Sequence, residues 1–265
     1  MFEQPADFRD ESQALHALLE PLADADYDRP TQFKGWTINE VLTHLHMWNW
    51  AADKALTDEA GFLAFVEHVM ADRAGGLRPF ENRWIGDLKG RALREAWRKL
   101  FGEIADHFAA ADPKARVKWV GPDMSVRSSI TARLMETWAH GQAVYDLLGV
   151  ERQNTDRIRN IVVLGANTYG FNFKIRGEEP PQPVPHLRLS APSGEVWTFN
   201  EPSDTECIEG SAVDFCQTVT QVRNVADTAL KVTGPNATRW MAIAQCFAGA
   251  PNDPPAPGSR FRVAA

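Results

Sequence analysis

The sequence is poor in cysteine, has no long apolar run and carries no excess of positive charge. Its three cysteines, Cys207, Cys216 and Cys246, are an odd number with no C-x-x-C spacing, which excludes a disulfide framework and a cysteine-built zinc knot. They read as reduced core filler. No apolar stretch approaches the roughly 20 residues that span a bilayer. The start Met1-Phe2-Glu3-Gln4-Pro5-Ala6-Asp7 lacks the basic and apolar regions of a secretion signal. The expected location is cytoplasmic, with no membrane partner. Acidic residues outnumber basic ones 35 to 28, for a formal net charge of -7; no uniform positive field is available to neutralise phosphates, and nucleic acid is not expected as a partner. With 44% of 265 residues hydrophobic, the chain can bury the core of one or two globular domains.

Apolar periodicity places helices over the first two-thirds. Phe8, Leu15, Leu18, Leu19 and Leu22 recur at helical spacing, and Pro21 ends or kinks that helix. Thr37-Ile38-Asn39-Glu40 has the capping-box form ahead of the stripe Ile38, Val41, Leu42, Leu45, Trp48 and Ala52, predicting a helix to about Leu56. A short amphipathic piece near Gly61 to Met70 precedes a loop at Ala74-Gly75-Gly76. A third long helix fits Asp87 to Ala110, and a fourth runs from Ser128 or Ser129 as N-cap to Leu148, closed by Gly149. Four such helices predict an up-and-down bundle, with Asp156 to Phe173 as one more helix against it. Four prolines within residues 178–185 forbid helix and central strand, so this segment reads as a linker. The expected domains are therefore 1–177, a linker at 178–185, and 186–265. The last is small and α+β: a hairpin from His186 to Phe199, a strand at Glu206 to Ile208, a helix from Ala212 to about Val222, a strand from Ala229 to Thr233 and a closing helix from Asn236 to about Phe247.

On the fourth helix Glu136 and His140, four residues apart, stack on one face about 5–6 Å apart at Cβ. The surrounding face is apolar and small, with Ala132, Ala139, Ala143 and Leu147. A carboxylate and an imidazole there are costly to bury unless paired or bound to a cation. The second helix offers His44 and His46, and periodicity does not choose between them. One of them with Glu136 and His140 makes a His2Glu set that leaves a fourth position open, the pattern of catalytic rather than structural zinc. The plainer reading is an ordinary helix-surface pair, with Arg133 neutralising Glu136.

Gly35-Trp36-Thr37 followed by Leu42-Thr43-His44-Leu45, and later Met135-Glu136-Thr137-Trp138-Ala139-His140-Gly141-Gln142, resemble the DinB-like metalloproteins, in the branch that contains mycothiol-dependent maleylpyruvate isomerase. Beyond the linker, Phe215, Thr220-Gln221, Ala226-Asp227, Leu230-Lys231-Val232-Thr233-Gly234 and Trp240 through Gly249 are similar to a bacterial family that couples this bundle to a C-terminal domain akin to the isomerase's and to sterol carrier protein. The resemblance implies a fold class of α followed by α+β: a DinB-like four-helix bundle, then a small sterol-carrier-like domain. It also implies a divalent metal held by His44, Glu136 and His140, with His44 preferred because it directly precedes Leu45. The metal is expected to be Zn2+, while Ni2+, Fe2+ and Mn2+ also suit the ligand set. The relatives' activities imply an isomerase or transferase that delivers a low-molecular-weight thiol to a small electrophilic substrate, and a homodimer is left open. An Arg of the isomerase's second domain corresponds, shifted by one residue, to Arg223, the candidate catalytic group. The alternative is a non-enzymatic binding protein with a structural metal and an apolar ligand among Trp197, Phe199, Phe215, Trp240 and Phe247.

Overall fold

The chain divides, in a computed structural model that describes residues 2–72 and 76–264, into two units, Met1–Leu147 and Leu148–Ala265. The first is helical: α1 (Gln4–Leu19), α2 (Ile38–Thr57), α3 (Glu59–Ala71), α4 (Leu77–Ile85), α5 (Gly90–Ala110) and α6 (Val126–Leu148). A short antiparallel ribbon of β1 (Arg116–Val117) and β2 (Met124–Ser125) leads into α6. Among the described residues no helix is long and apolar enough to cross a membrane.

Local chemistry explains most of these boundaries. The Thr37 hydroxyl accepts from the Glu40 N–H at 3.2 Å, and the Glu40 carboxylate accepts from the Thr37 N–H at 2.7 Å, the reciprocal cap that starts α2. Asp58 ends α2 and caps α3 by accepting from the Gly61 N–H at 3.0 Å. Leu93, Trp97, Phe101, Ile104 and Phe108 give α5 one fully apolar side, and all are buried. Each such side chain stabilises the fold by roughly 1.5–3 kcal/mol relative to leaving it in water. That side receives α1 and α2.

Two expectations are corrected here. Ser128 and Ser129 lie inside α6 rather than capping it: the Ser125 hydroxyl accepts from the Ser128 N–H at 3.1 Å, and the Val126 N–H is taken by Ala115 at 2.9 Å, so the helix begins at Val126. A helix stands at Leu77–Ile85, between two expected elements, where none is predicted. Of the expected loop, Ala74 and Gly75 lie outside the described residues.

The two compact units divide near the end of α6, and the proline-rich segment lies within the second. Residues 156–173 belong to the second unit as α7 (Arg159–Asn167) and α8 (Tyr169–Lys174). The predicted single helix is broken at Thr168, whose hydroxyl donates to the Gly165 carbonyl at 2.9 Å and competes with the helical ladder. In this unit β3 (His186–Ser190) pairs antiparallel with β4 (Val196–Phe199) and parallel with β5 (Cys207–Ser211), and β5 pairs antiparallel with β6 (Lys231–Thr233). The strand order is β4-β3-β5-β6. Helices α9 (Ala212–Val219) and α10 (Pro235–Ile243) complete it. Helix α7 packs on α9 across Gly165, where a Cβ would stand 2.9 Å from a Val219 methyl and 3.0 Å from the Phe215 ring. All three cysteines are buried and none forms a disulfide.

Candidate metal centre

The centre begins in the turn before α2. Lys34 and Gly35 both have left-handed backbones, φ 54° and 69°, and the Trp36 N–H donates to the Phe33 carbonyl at 2.9 Å. Two successive positive φ values define a type I′ turn, and glycine at the second makes it accessible. The turn delivers two rings to the imidazoles. Phe33 meets His140 edge-on with centroids 4.9 Å apart, and Trp36 lies parallel to His140 at 5.4 Å and 5.5 Å from His44.

Helices α2 and α6 supply the ligand set. His44 Nε2 is 3.4 Å from Glu136 Oε2, and His140 Nε2 is 3.1 Å from the same oxygen. The two imidazole centroids are 4.6 Å apart. Among the described residues these three side chains offer ligand atoms that all lie within 4.8 Å of one another. The Glu136 side chain keeps 20% of its surface exposed and each imidazole 11%, so the cluster reaches solvent through its carboxylate.

Helix α4 contributes a residue that the sequence reading did not single out. Glu81 is fully buried. Its Oε1 lies 2.7 Å from His44 Nδ1 and accepts from the Trp48 indole N–H at 3.3 Å, while its Oε2 lies 2.8 Å from Arg78 Nη1. An ionised carboxylate only accepts, so Nδ1 of His44 carries the proton and Nε2 is the atom presented to Glu136. Arg78 is held in turn by the Glu40 carbonyl at 3.2 Å and by the Trp36 ring, whose centroid is 3.5 Å from its guanidinium carbon.

This places His44 between two carboxylates. A neutral ring with its proton on Nδ1 would turn a lone pair on Nε2 toward the Glu136 carboxylate, so the site calls for a positive charge at that point, a proton or a cation. The titration behaviour reflects this. Burial opposes a charge on His44, but the hydrogen bonds to Glu136 and Glu81 outweigh it and hold its pKa above the ordinary histidine value. Burial holds His140 below that value, with the charge of His44 adding to the effect against the pull of Glu136. Burial would raise Glu136, yet the hydrogen bonds of His140 and His44, with the charge of Arg133, keep it well below the usual carboxylate range. The second nitrogen of His140, Nδ1, is buried without a hydrogen-bond partner.

The structure distinguishes the two histidines of α2. His44 joins Glu136 and His140, whereas His46 points at Trp84, centroids 5.8 Å apart, and burial lowers its pKa to about 4. Arg223 belongs to the second unit, in the turn after α9, half-buried, where it donates to the Val222 carbonyl at 3.2 Å. Trp197, Phe215 and Trp240 are buried core of that unit, and Phe199 and Phe247 are half-buried. Glu81 had a detectable signal. Leu77, Phe80, Glu81 and Trp84 stand at i, i+3, i+4 and i+7, which puts the carboxylate on an apolar stripe, the same anomaly that marks Glu136.

A helical unit that aims two imidazoles and one carboxylate at a common point defines a class of protein with a candidate three-ligand cation site. The family model for the mycothiol maleylpyruvate isomerase N-terminal domain matches residues 8–145, and the chain belongs to that family. Two uncharacterized proteins, one from each of two strains of Mycobacterium tuberculosis, are 37% identical to it over 246 residues, covering 93% of this chain and 95% of their own length. Among solved structures, that of the mycothiol-dependent maleylpyruvate isomerase aligns with a TM-score of 0.51 at 15% identity, covering 82% of this chain and 87% of the other. A mutant of the same enzyme aligns at 0.50 and 16% over the same shares. At these identities the likeness is one of fold.

Proposed function

We propose that the chain is a metal-dependent enzyme of small-thiol chemistry, in which His44, Glu136 and His140 hold one divalent cation and a small electrophilic substrate is isomerised or alkylates the thiol. Two imidazoles and one carboxylate suit zinc and leave a position for an incoming ligand. When bound, such a cation supplies the Lewis acidity that deprotonates a coordinated thiol and so makes a nucleophile at neutral pH. The protein's own groups do the rest. Glu81 fixes the tautomer and rotation of His44, Arg78 anchors Glu81, and Phe33 and Trp36 wall the imidazoles off from bulk water. The cytoplasm, which keeps small thiols reduced, fits this chemistry.

The observation that carries this reading is the convergence of three side chains: two imidazole nitrogens face one carboxylate oxygen at 3.4 and 3.1 Å, and the ligand atoms of His44, Glu136 and His140 all lie within 4.8 Å of one another. The name of the structurally similar isomerase adds the thiol and the reaction type. The test is elemental analysis of untagged protein, wild type beside His44→Ala and His140→Ala. About one divalent ion per chain is expected in the wild type and none in either variant. A wild type that takes up no zinc, nickel, iron or manganese on reconstitution refutes the proposal.

A further inference from the structure

A cavity of about 460 Å³ opens among α2, α3 and α4 in the first unit, and none of His44, Glu136 and His140 lines it. That volume lies in the range of small-molecule sites. Four rings form its wall: Trp50 of α2, Phe65 of α3, and Phe80 and Trp84 of α4. Along the series Trp84, Trp50, Phe65, Phe80 the centroids are 5.6, 5.3 and 5.9 Å apart, and each ring turns 60–66° from the one before, so they curve round the cavity instead of stacking flat. Phe65 is buried, whereas Trp50, Phe80 and Trp84 are half-buried. Folding gains by covering such rings, so three left part-open in one hollow offer the apolar surface that a ligand would cover. Ala64 of α3 faces the same hollow from an exposed position and takes up little of it.

The charged lining is balanced. Arg83 of α4 and Asp72, just past the end of α3, both line the cavity and pair with each other. A cation over the ring faces would find Asp72, the one acidic lining group among the described residues, already taken by Arg83, and an anion would find Arg83 taken by Asp72. Either ion would enter an apolar hollow without a counter-charge. A flat neutral ring meets the wall edge-on or offset at no such cost. His68 of α3 adds an imidazole, which can donate or accept one hydrogen bond. The geometry points to a second binding site in the first unit, for a neutral aromatic molecule of fused-ring size whose one hydroxyl, carbonyl or ring N–H meets His68. Helix α4 serves both sites, holding Glu81 against His44 while Phe80 and Trp84 line the cavity.

The probe is indole, with indole-3-acetate and tryptamine as its anionic and cationic counterparts, titrated into the full chain while the tryptophan N–H signals are followed by NMR. Trp50→Phe and Trp84→Phe assign the two lining signals, and Trp36→Phe assigns the one beside the triad. Indole is expected to shift the Trp50 and Trp84 signals saturably, with a Kd on the order of 0.1–1 mM for a ligand this small, and to leave Trp36 still. The charged analogues are expected to bind about tenfold more weakly or worse. Ala64→Phe, which fills the hollow from the exposed side of α3, should abolish the shift, and Ala64→Leu gives the readout if the larger ring lowers the melting temperature. No saturable shift at Trp50 and Trp84, undiminished affinity in the folded Ala64 variants, or tighter binding of either charged analogue overturns the inference. Trp50 and Trp84 signals that move with protein concentration before any probe is added would make a second copy of the chain the occupant and overturn it too. The same result is expected with the triad loaded or empty, so this site and the triad stand or fall separately.

Discussion

Glu206 in the second unit and Glu81 in the first are both buried carboxylates, and the two units satisfy them by different means. Glu206 accepts from the backbone N–H groups of Asn236 at 3.2 Å and Ala237 at 2.9 Å, at the start of α10. Those donors are orphans that every helix must satisfy, and the helix dipole favours a negative charge there. Glu81 instead meets an imidazole, an indole and a guanidinium, and the imidazole passes the polarity on to Glu136. A carboxylate spent on backbone donors serves the fold. One spent on a titratable side chain instead ties α4 to the three side chains whose ligand atoms converge.

That contrast breaks if either carboxylate behaves like the other. Glu206→Ala should cost the second unit about 3 kcal/mol, two hydrogen bonds to a charged acceptor lost at a helix start, read as a fall in melting temperature with metal content of the folded protein unchanged. Glu81→Gln should move the metal readout as well: metal affinity measured against a chelator weakens about 10–100-fold, as for other groups that orient a ligating histidine, alongside a fall in melting temperature because Arg78 loses its buried partner. Equal losses of stability and affinity in both variants would erase the distinction. Gly165→Ala should destabilise the α7–α9 contact by about 1–2 kcal/mol through overpacking, since its new methyl would meet Val219 and Phe215; a neutral result in a denaturant titration would mean that these helices slide apart freely.

The smallest effect is expected at the surface. Hydrogen bonds from Arg94, His16 and Arg98 hold Glu95 down to about 2. A carboxylate lowered on folding adds stability above its ordinary range, near 4.5, and loses it as pH falls toward 2. Because the Glu95 side chain is 47% exposed, solvent screens it, and Glu95→Ala should cost about 0.5 kcal/mol at neutral pH. Melting curves of the variant and wild type should converge below pH 3; a gap that widens there would invert the sign.

What the sequence makes legible follows from the range of the interactions. The reciprocal cap of Thr37 and Glu40 is local, and so is the i, i+4 pair of Glu136 and His140. The choice between His44 and His46 depends on which side of α2 faces α6, and the family motif favours His44 where periodicity does not choose. Helix α4 escapes because it is short and lies beside a glycine-rich stretch, so Glu81 goes unnoticed with it. The boundary between units is hidden for a different reason. Prolines at 178–185 are conspicuous, but the unit to which α7 belongs is decided by the fit of Gly165 beneath Phe215 and Val219, fifty or more residues later in the chain. The parallel pairing of β3 with β5 is likewise non-local and leaves no trace in the two-residue alternation of either strand.

Trp36 carries the Arg78 guanidinium close to its ring and lies within 6° of parallel to His140. An indole's excited state is polarised, so its emission colour and brightness respond to charges placed along its plane. The turn at Lys34-Gly35 has therefore mounted a resident optical gauge on the triad. A shift in fluorescence on loading the site, absent from Trp36→Phe, would follow occupancy in real time without any added dye.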